Sequence, residues 1–363
     1  MDSTPTQPRP RPLLPGEPLP WFRAKAIGGS DNYVFDTAAG RHMLMLFFGR
    51  ASDPGAAEAL ACVARHRGLF DDVSACFFGV TSDPGDAASG RVGQLLPGIR
   101  FFLDPGGLAG LFGAGPEARR HWLLVDPMLR AVATFPIQSG EAAIAALEDA
   151  IGHRPQPDWA PVLMAPDIFE PELCERLIAH HKETGGTPSG FMREVDGKTV
   201  LITDPTHKMR RDREISDEAT CAGLRARIVT RLVPMVKRAF QFEATRMERY
   251  IVGAYPAGEG HFRPHRDNTT KGTAHRRFAV TINLNAGDYD GGDLRFPEYG
   301  ARTYRAPTGG AVVFSCSLLH EATPVTRGTR YAFLPFLYDN AAAKQREENN
   351  PHLGEGVGAY KAG

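Results

Sequence analysis

Three side chains in the second half of this chain are of the types that hold a transition metal. His265 and Asp267 stand two apart in His265-Arg-Asp267, and His320 follows about fifty residues later. On an extended segment, residues i and i+2 project to the same side. One imidazole and one carboxylate therefore converge on a single point. A closed β structure would return the chain to the same mouth and bring His320 to them. Two imidazoles and a carboxylate on one face leave three coordination positions open. That arrangement suits Fe(II), a bidentate cosubstrate and O₂. An HxD pair alone is a weak signal; the later histidine and the strands between give it weight.

The elements that must position these groups are short strands. From Met247 onward, extended stretches at 248–254, 278–284, 293–296, 303–305, 311–315 and 330–338 alternate with Gly, Pro and Asp. Evenly spaced short strands predict a closed or double-sheet β structure such as a jelly roll. Helices ahead of it would cover one face. One starts at Glu170, with Pro171 suited to its first turn and Leu173, Leu177 and Ile178 on one side. Another opens at Ser216-Asp-Glu, and Pro234 is expected to kink or end it.

The first half reads differently. The apolar run 43–48 predicts a strand buried on both faces. Asp53-Pro54 offers a helix start, followed by an alanine-rich helix near 56–66. Strands are predicted at 76–80, 122–125 and 131–135, the last two joined at Asp126-Pro-Met, with a closing helix over 141–151. This is α/β order. The predicted organisation is a proline-rich arm (1–20), an α/β unit (21–152), a Pro-broken linker (153–160), an α+β unit (161–341) and a C-terminal tail (342–363).

Composition excludes several classes. The 363 residues carry 42 basic and 42 acidic side chains, so no field of one sign invites nucleic acid or an anionic membrane. Cys62, Cys76, Cys174, Cys221 and Cys316 form no CxxC pair and no zinc spacing. Such a scattered odd set suits a reducing compartment. The N-terminus lacks the apolar core of a signal peptide, and no apolar run approaches membrane-spanning length. A cytoplasmic protein is expected.

Longer phrases carry a family resemblance. Tyr255-Pro-Ala-Gly-Glu-Gly-His-Phe-Arg-Pro-His-Arg-Asp-Asn268 resembles the metal segment of the prolyl-hydroxylase-type 2-oxoglutarate/Fe(II) dioxygenases. Gly291-Gly-Asp-Leu-Arg-Phe-Pro297 is similar to that family's Gly-Gly strand. His320-Glu-Ala-Thr-Pro-Val-Thr-Arg-Gly-Thr-Arg330 is similar to its closing phrase. The resemblance covers residues 160–340. It implies a double-stranded β-helix (jelly roll) with flanking helices, and His265, Asp267 and His320 as iron ligands. Arg330 would receive the distal carboxylate of 2-oxoglutarate, with Arg327 as a less fitting competitor. Tyr255 and Asn283 would donate further hydrogen bonds, although the closest relatives carry tyrosine where Asn283 aligns. O₂ would be consumed with decarboxylation to succinate and CO₂ while an unactivated substrate carbon, prolyl, peptidyl or otherwise, is hydroxylated. Ascorbate is an expected auxiliary. Related halogenases lack the carboxylate that Asp267 supplies, which favours hydroxylation. The substrate itself is not legible.

The first unit resembles the thioredoxin-fold peroxiredoxins over about 130 residues. The phrases are 47–58, Phe101-Phe-Leu-Asp-Pro-Gly-Gly107 and Arg120-His-Trp-Leu-Leu-Val-Asp126. Gly55 aligns where the peroxidatic cysteine would stand, and glycine has no sulfur to activate. Cys62 and Cys76 read as small buried hydrophobes. A thioredoxin-like fold without redox chemistry is expected, used for packing, homodimerisation or partner capture; a thiol peroxidase is the alternative.

Other residues carry less. His261 is a support for the ligands or a substrate contact, with solvent exposure equally open. Residues 268–277, with His275, Arg276 and Arg277, read as a solvated hairpin rather than a lid. The run Lys208-Met-Arg-Arg-Asp-Arg213 reads as a solvated face, with a substrate entrance as the alternative. His180 and His181 near a helix end suit the helix dipole.

Overall fold

The strand His42–Gly49 carries an unbroken apolar run, Met43 to Phe48, because it lies inside a sheet and is covered on both faces. The computed structural model describes residues 11–104, 106–114, 120–153 and 159–362. Much of the expected arm and positions 154–158 of the expected linker lie outside the described residues. The chain divides into two compact units, one running to Asp158 and including Pro297–Gly300, the other comprising the rest from Trp159.

In the first unit, His42–Gly49, Ala75–Thr81 and Ile99–Leu103 run parallel. His121–Val125 pairs antiparallel on the other side of His42–Gly49 and forms a hairpin with Ala131–Pro136. Arg23–Ala26 and Tyr33–Val34 complete a seven-stranded mixed sheet. The hairpin turn is held by Asp126, whose Oδ1 accepts from the backbone N–H groups of Met128 and Arg130, both at 2.9 Å. The helices Ala56–Arg65 and Gly140–Gly152 pack on the sheet. Their apolar faces meet Leu44, Leu46, Phe77 and Trp122 in one core. Parallel strands joined through helices, followed by a hairpin and a closing helix, realise the α/β order read from the sequence.

The second unit is built on two sheets. The larger has the order Arg246–Glu248, Phe336–Tyr338, Phe278–Asn283, Thr329–Phe333, Ile251–Pro256, Arg211–Glu214, Thr187–Pro188; Ala311–Ser315 also pairs with Phe278–Asn283. The smaller has the order Lys208–Met209, His261–His265, His320–Ala322, Leu294–Arg295, Thr303–Tyr304. Helices Pro171–Thr184, Glu218–Arg227 and Val233–Phe240 supply Leu173, Leu177, Leu224 and Val236 to a core shared with Val252, Ile282 and Phe333.

Several expectations shift in detail. Pro234 does not end its helix. The chain passes through a wider π-type turn at Ile228–Leu232, and Pro234 falls in the first turn of Val233–Phe240, where its missing N–H costs little. The stretch read as one strand over 330–338 is two, broken at Leu334-Pro335. The segment read as a tail contains the helix Asn340–Glu348, capped by Asp339, whose Oδ1 accepts from the N–H of Ala342 at 2.7 Å. Ala342 and Ala343 are buried beside Tyr338. The hairpin Phe191–Val195/Lys198–Ile202 was not anticipated. Among the described residues, no helix is long and apolar enough to cross a membrane.

Candidate active site

His265 ends the strand His261–His265 and His320 begins His320–Ala322, and the two residues face each other directly in the antiparallel register. Their ring centroids are 4.3 Å apart. Asp267 lies just past the strand end, where its backbone N–H donates to the carbonyl of Cys316 at 3.0 Å. Its Oδ1 is 3.6 Å from His265 Nε2 and its Oδ2 is 3.3 Å from His320 Nε2. The three ligand atoms lie within 4.8 Å of one another.

The histidine tautomers follow from local backbone. His265 Nδ1 meets the carbonyl of Arg263 at 2.8 Å, and His320 Nδ1 meets that of Leu318 at 3.0 Å. A carbonyl can only accept, so each Nδ1 carries the proton and each Nε2 keeps its lone pair free. This is how a metal-binding imidazole is oriented. Burial, helped by His320, pushes the His265 imidazole down to about 4, so it is neutral at ordinary pH. Burial works against the charge on Asp267, but His320, His265 and Arg276 outweigh it and hold the carboxyl well below the usual carboxylate range. Two imidazole Nε2 atoms and one anionic oxygen are a donor set that fits a ferrous ion, with open positions on the remaining side.

Arg330 stands on Thr329–Phe333 and is paired in register with Tyr255 on Ile251–Pro256. Its guanidinium carbon lies 4.9 Å from the Tyr255 ring centroid. The residue is only 2% exposed, yet its Nε and Nη1 have no hydrogen-bond partner. The buried hydroxyl of Tyr289, which feels the charge of Arg330, also makes no well-formed hydrogen bond. Unpartnered buried donors are rare and expensive. A planar cation with free N–H groups is the complement of a carboxylate. The Gly291–Gly292 pair makes the room: a Cβ on Gly291 would lie 2.2 Å from the carbonyl of Pro324, and one on Gly292 would lie 3.2 Å from Arg330 Cδ.

A cavity of about 60 Å³ joins these groups. Its lining includes His265, Asp267, His320, Tyr255 and Arg330, with Phe262, Val280, Leu294, Phe314 and Phe336 as apolar wall. Asn283 is placed differently. Its Nδ2 donates to the carbonyl of Ala306 at 2.8 Å, and it does not line the cavity, whereas Thr281 of the same strand does. Arg327 is exposed and paired with Asp290 at 2.7 Å. His261 is bound to the carbonyls of Glu259 and Thr206 and is not in the lining.

Two sequence readings are corrected. The segment 268–277 is not a solvated hairpin: Thr270, Thr273, His275 and Arg276 are buried. Arg276 meets Glu248 at 2.7 Å, and Arg346 meets the other oxygen of Glu248 at 2.8 Å. The run from Lys208 is not a uniformly solvated face either. Lys208 and Arg210 are buried and line the cavity, while Arg211 is exposed. Alternation along an extended segment separates them. Arg249 and Tyr289 carried no signal in the sequence. His181 is buried on the carbonyl of Arg211 at 3.1 Å.

In the first unit, Gly55 caps the helix Ala56–Arg65 at a φ of 80°, so no thiol meets that helix start. Burial, with Glu141 beside it, pushes the Cys62 thiol up to about 11, and burial pushes Cys76 up to about 12. Neither has the low-pKa setting of a reactive cysteine. Cys62, His66 and Glu141 gather closely, but Arg65 already donates to Glu141 Oε1 at 2.7 Å, placing a cation where a metal would need the carboxylate.

Residues 248–338 match the 2OG-Fe(II) oxygenase superfamily. That span contains the three candidate ligands and Arg330. Among curated proteins, the chain is similar to a PKHD-type hydroxylase of Cupriavidus metallidurans, at 39% identity over 80 residues, covering 20% of this chain and 35% of that one. The chain thus spans about a third of that relative's length. Among solved structures, it is similar to a prolyl hydroxylase of Trichoplax adhaerens, determined with a peptide of hypoxia inducible factor (17% identity, TM-score 0.41, 51% of this chain and 86% of that chain). It is also similar to a peroxidoxin of Mycobacterium tuberculosis (17% identity, TM-score 0.32, 38% and 98%).

Proposed function

We propose that the second unit is an Fe(II)- and 2-oxoglutarate-dependent dioxygenase that hydroxylates an unactivated carbon. The observation that carries this reading is the unpartnered, buried guanidinium of Arg330 in the same cavity as the His265–Asp267–His320 cluster. A ferrous ion held by those three residues supplies the oxidation of substrate by O₂, coupled to decarboxylation of the 2-oxo acid. Overall, R–H, O₂ and 2-oxoglutarate become R–OH, CO₂ and succinate.

The chain's own residues do the rest. Arg330 takes the distal carboxylate of the cosubstrate, which would otherwise sit charged in a dry cavity. Tyr255 packs its ring against that guanidinium, and its hydroxyl accepts from Arg210 Nη1 at 3.1 Å. Tyr289 offers a further hydroxyl. The carbonyls of Arg263 and Leu318 hold the two imidazoles in the metal-binding tautomer. Phe262, Phe314 and Phe336 exclude water from the reacting side.

The first unit, in this reading, is a peroxiredoxin-like thioredoxin fold kept for homodimerisation or partner capture. The protein acts in the cytoplasm, with ascorbate able to keep the iron ferrous. Anaerobic addition of Fe(II) and 2-oxoglutarate to the full chain should produce a visible metal-to-ligand charge-transfer band. Its absence in protein that binds iron would end the proposal.

A further inference from the structure

The cavity holds more positive charge than the iron and cosubstrate can use. Four of its lining side chains are basic, Lys208, Arg210, Arg249 and Arg330, against one acidic, Asp267. Under the dioxygenase reading, on which this inference rests, a ferrous ion, Asp267, a doubly charged cosubstrate and Arg330 sum to zero. The surplus lies in the other three cations, and Asp212 is their nearest counter-charge.

Asp212 is already occupied. Its Oδ1 accepts from Arg210 Nε at 2.5 Å, and its Oδ2 accepts from Arg210 Nη2 at 2.7 Å and from the Ser189 hydroxyl at 2.5 Å. Arg249 reaches the same Oδ2 only at 3.5 Å. Glu248, next to Arg249 in the chain, is engaged by Arg276 and Arg346 instead. Lys208 is 4% exposed, its Nζ donates to the carbonyl of Gly190 at 2.6 Å, and it makes no ion pair among the described residues. Burial pushes the Lys208 amine well below its usual pKa, the Phe262 ring centroid 4.7 Å away offers only a weak cation–π contact, and an anion beside it would favour the charged form. Arg249 adds a separate sign. Its φ of 67° is in the left-handed region, which arginine rarely adopts, and strain of this kind persists where the fold needs a side chain aimed at one place.

We propose that Lys208 and Arg249 bind a carboxylate of the substrate, so that the reaction oxidises a carbon of a small organic acid. The deep burial of Lys208 requires the carboxylate itself to enter the cavity, which suits a short acid better than a side chain presented on a folded protein surface. Arg210, fully engaged by Asp212, Ser189 and Tyr255, is the fixed post against which the other two cations are set.

The test uses the full chain loaded anaerobically with Fe(II) and saturating 2-oxoglutarate. The charge-transfer band reports the parent reading: without it, the dioxygenase assignment fails before the substrate question arises. With the band present, propionate, butyrate, valerate and the free amino acids are compared with their amides by calorimetry, then by succinate release on aeration. At least one acid should bind about tenfold more tightly than its amide and raise succinate release. Arg249→Gln and Lys208→Met should each weaken that acid about tenfold while leaving the amide unchanged. The same loss should appear as calorimetric binding in metal-free protein. Four results would overturn the assignment: no acid binding, amides equalling acids, an acidic pentapeptide binding where free acids do not, or loss of the charge-transfer band in Arg249→Gln, which would place Arg249 on the cosubstrate.

Discussion

Both units have an apolar core and bury polar side chains, Asp36, Asp86 and His121 in the first, but among the described residues only the second buries lysine and arginine. The first packs Leu44, Leu46, Phe77, Phe101 and Trp122 around its sheet, and the helix start that could activate a thiol carries Gly55. The second buries Lys208, Arg210, Glu248, Arg276, His320 and Arg330. An apolar core stabilises its unit outright. Buried cations do so only when paired, and Arg330 and Lys208 are not. The comparison separates a scaffold whose reactive positions are silent from one that carries groups stability alone would remove.

Ways to break this contrast can be ranked by expected size. Asp267→Ala should remove the anionic ligand and lower succinate formation by on the order of a thousandfold or more, measured with iron in excess; activity near that of the unaltered chain would remove the metal centre from the argument. Glu248→Gln strands Arg276 and Arg346 and should cost about 3 kcal/mol of stability by urea unfolding. Burial opposes ionisation of Glu248, but Arg276, His275 and Arg346 hold its pKa below the usual value near 4.5. Its contribution is therefore present above about pH 4.5 and is lost as pH falls towards the lower folded value. The variant should show a flatter acid limb, and an unchanged limb would put the acid sensitivity elsewhere.

Arg330→Leu should raise the KM for 2-oxoglutarate about a hundredfold, roughly 2.7 kcal/mol, with iron affinity little changed. An equal KM would show that the guanidinium is not the cosubstrate's anchor. Cys62→Ser should alter neither peroxide consumption nor succinate release. With its thiol near 11, about one molecule in a thousand is ionised at pH 8. Alkylation of Cys62 should accelerate only as pH approaches that value. Fast modification at neutral pH would revive thiol chemistry in the first unit.

Much of this was legible in the chain because the relevant signals are local. The i, i+2 spacing of His265 and Asp267 and the apolar run at 43–48 each report one short stretch of chain, and the ten-residue step from His320 to Arg330 joins strands close in sequence. What was not legible depended on distant packing. Lys208 and Arg211 differ in burial through a parity that a two-residue strand, Lys208–Met209, displays too briefly to read. The buried Glu248–Arg276 pair joins residues 28 positions apart, so 268–277 looked like ordinary polar loop. Asn283 looked like a site donor by alignment, and only the fold shows its amide turned to Ala306. Pro234 was expected to kink or end its helix, and the π-type turn just ahead of it leaves no trace in composition.

The facing placement of His265 and His320 has a mechanical consequence. Whatever ion they share acts as a rivet across the seam between two strands that the chain visits some fifty residues apart. Exchange of the backbone amides near Phe262 and Ala322, which pair across the same seam, should slow when that rivet is in place. Metal supply would then govern the rigidity of the barrel mouth as well as its chemistry.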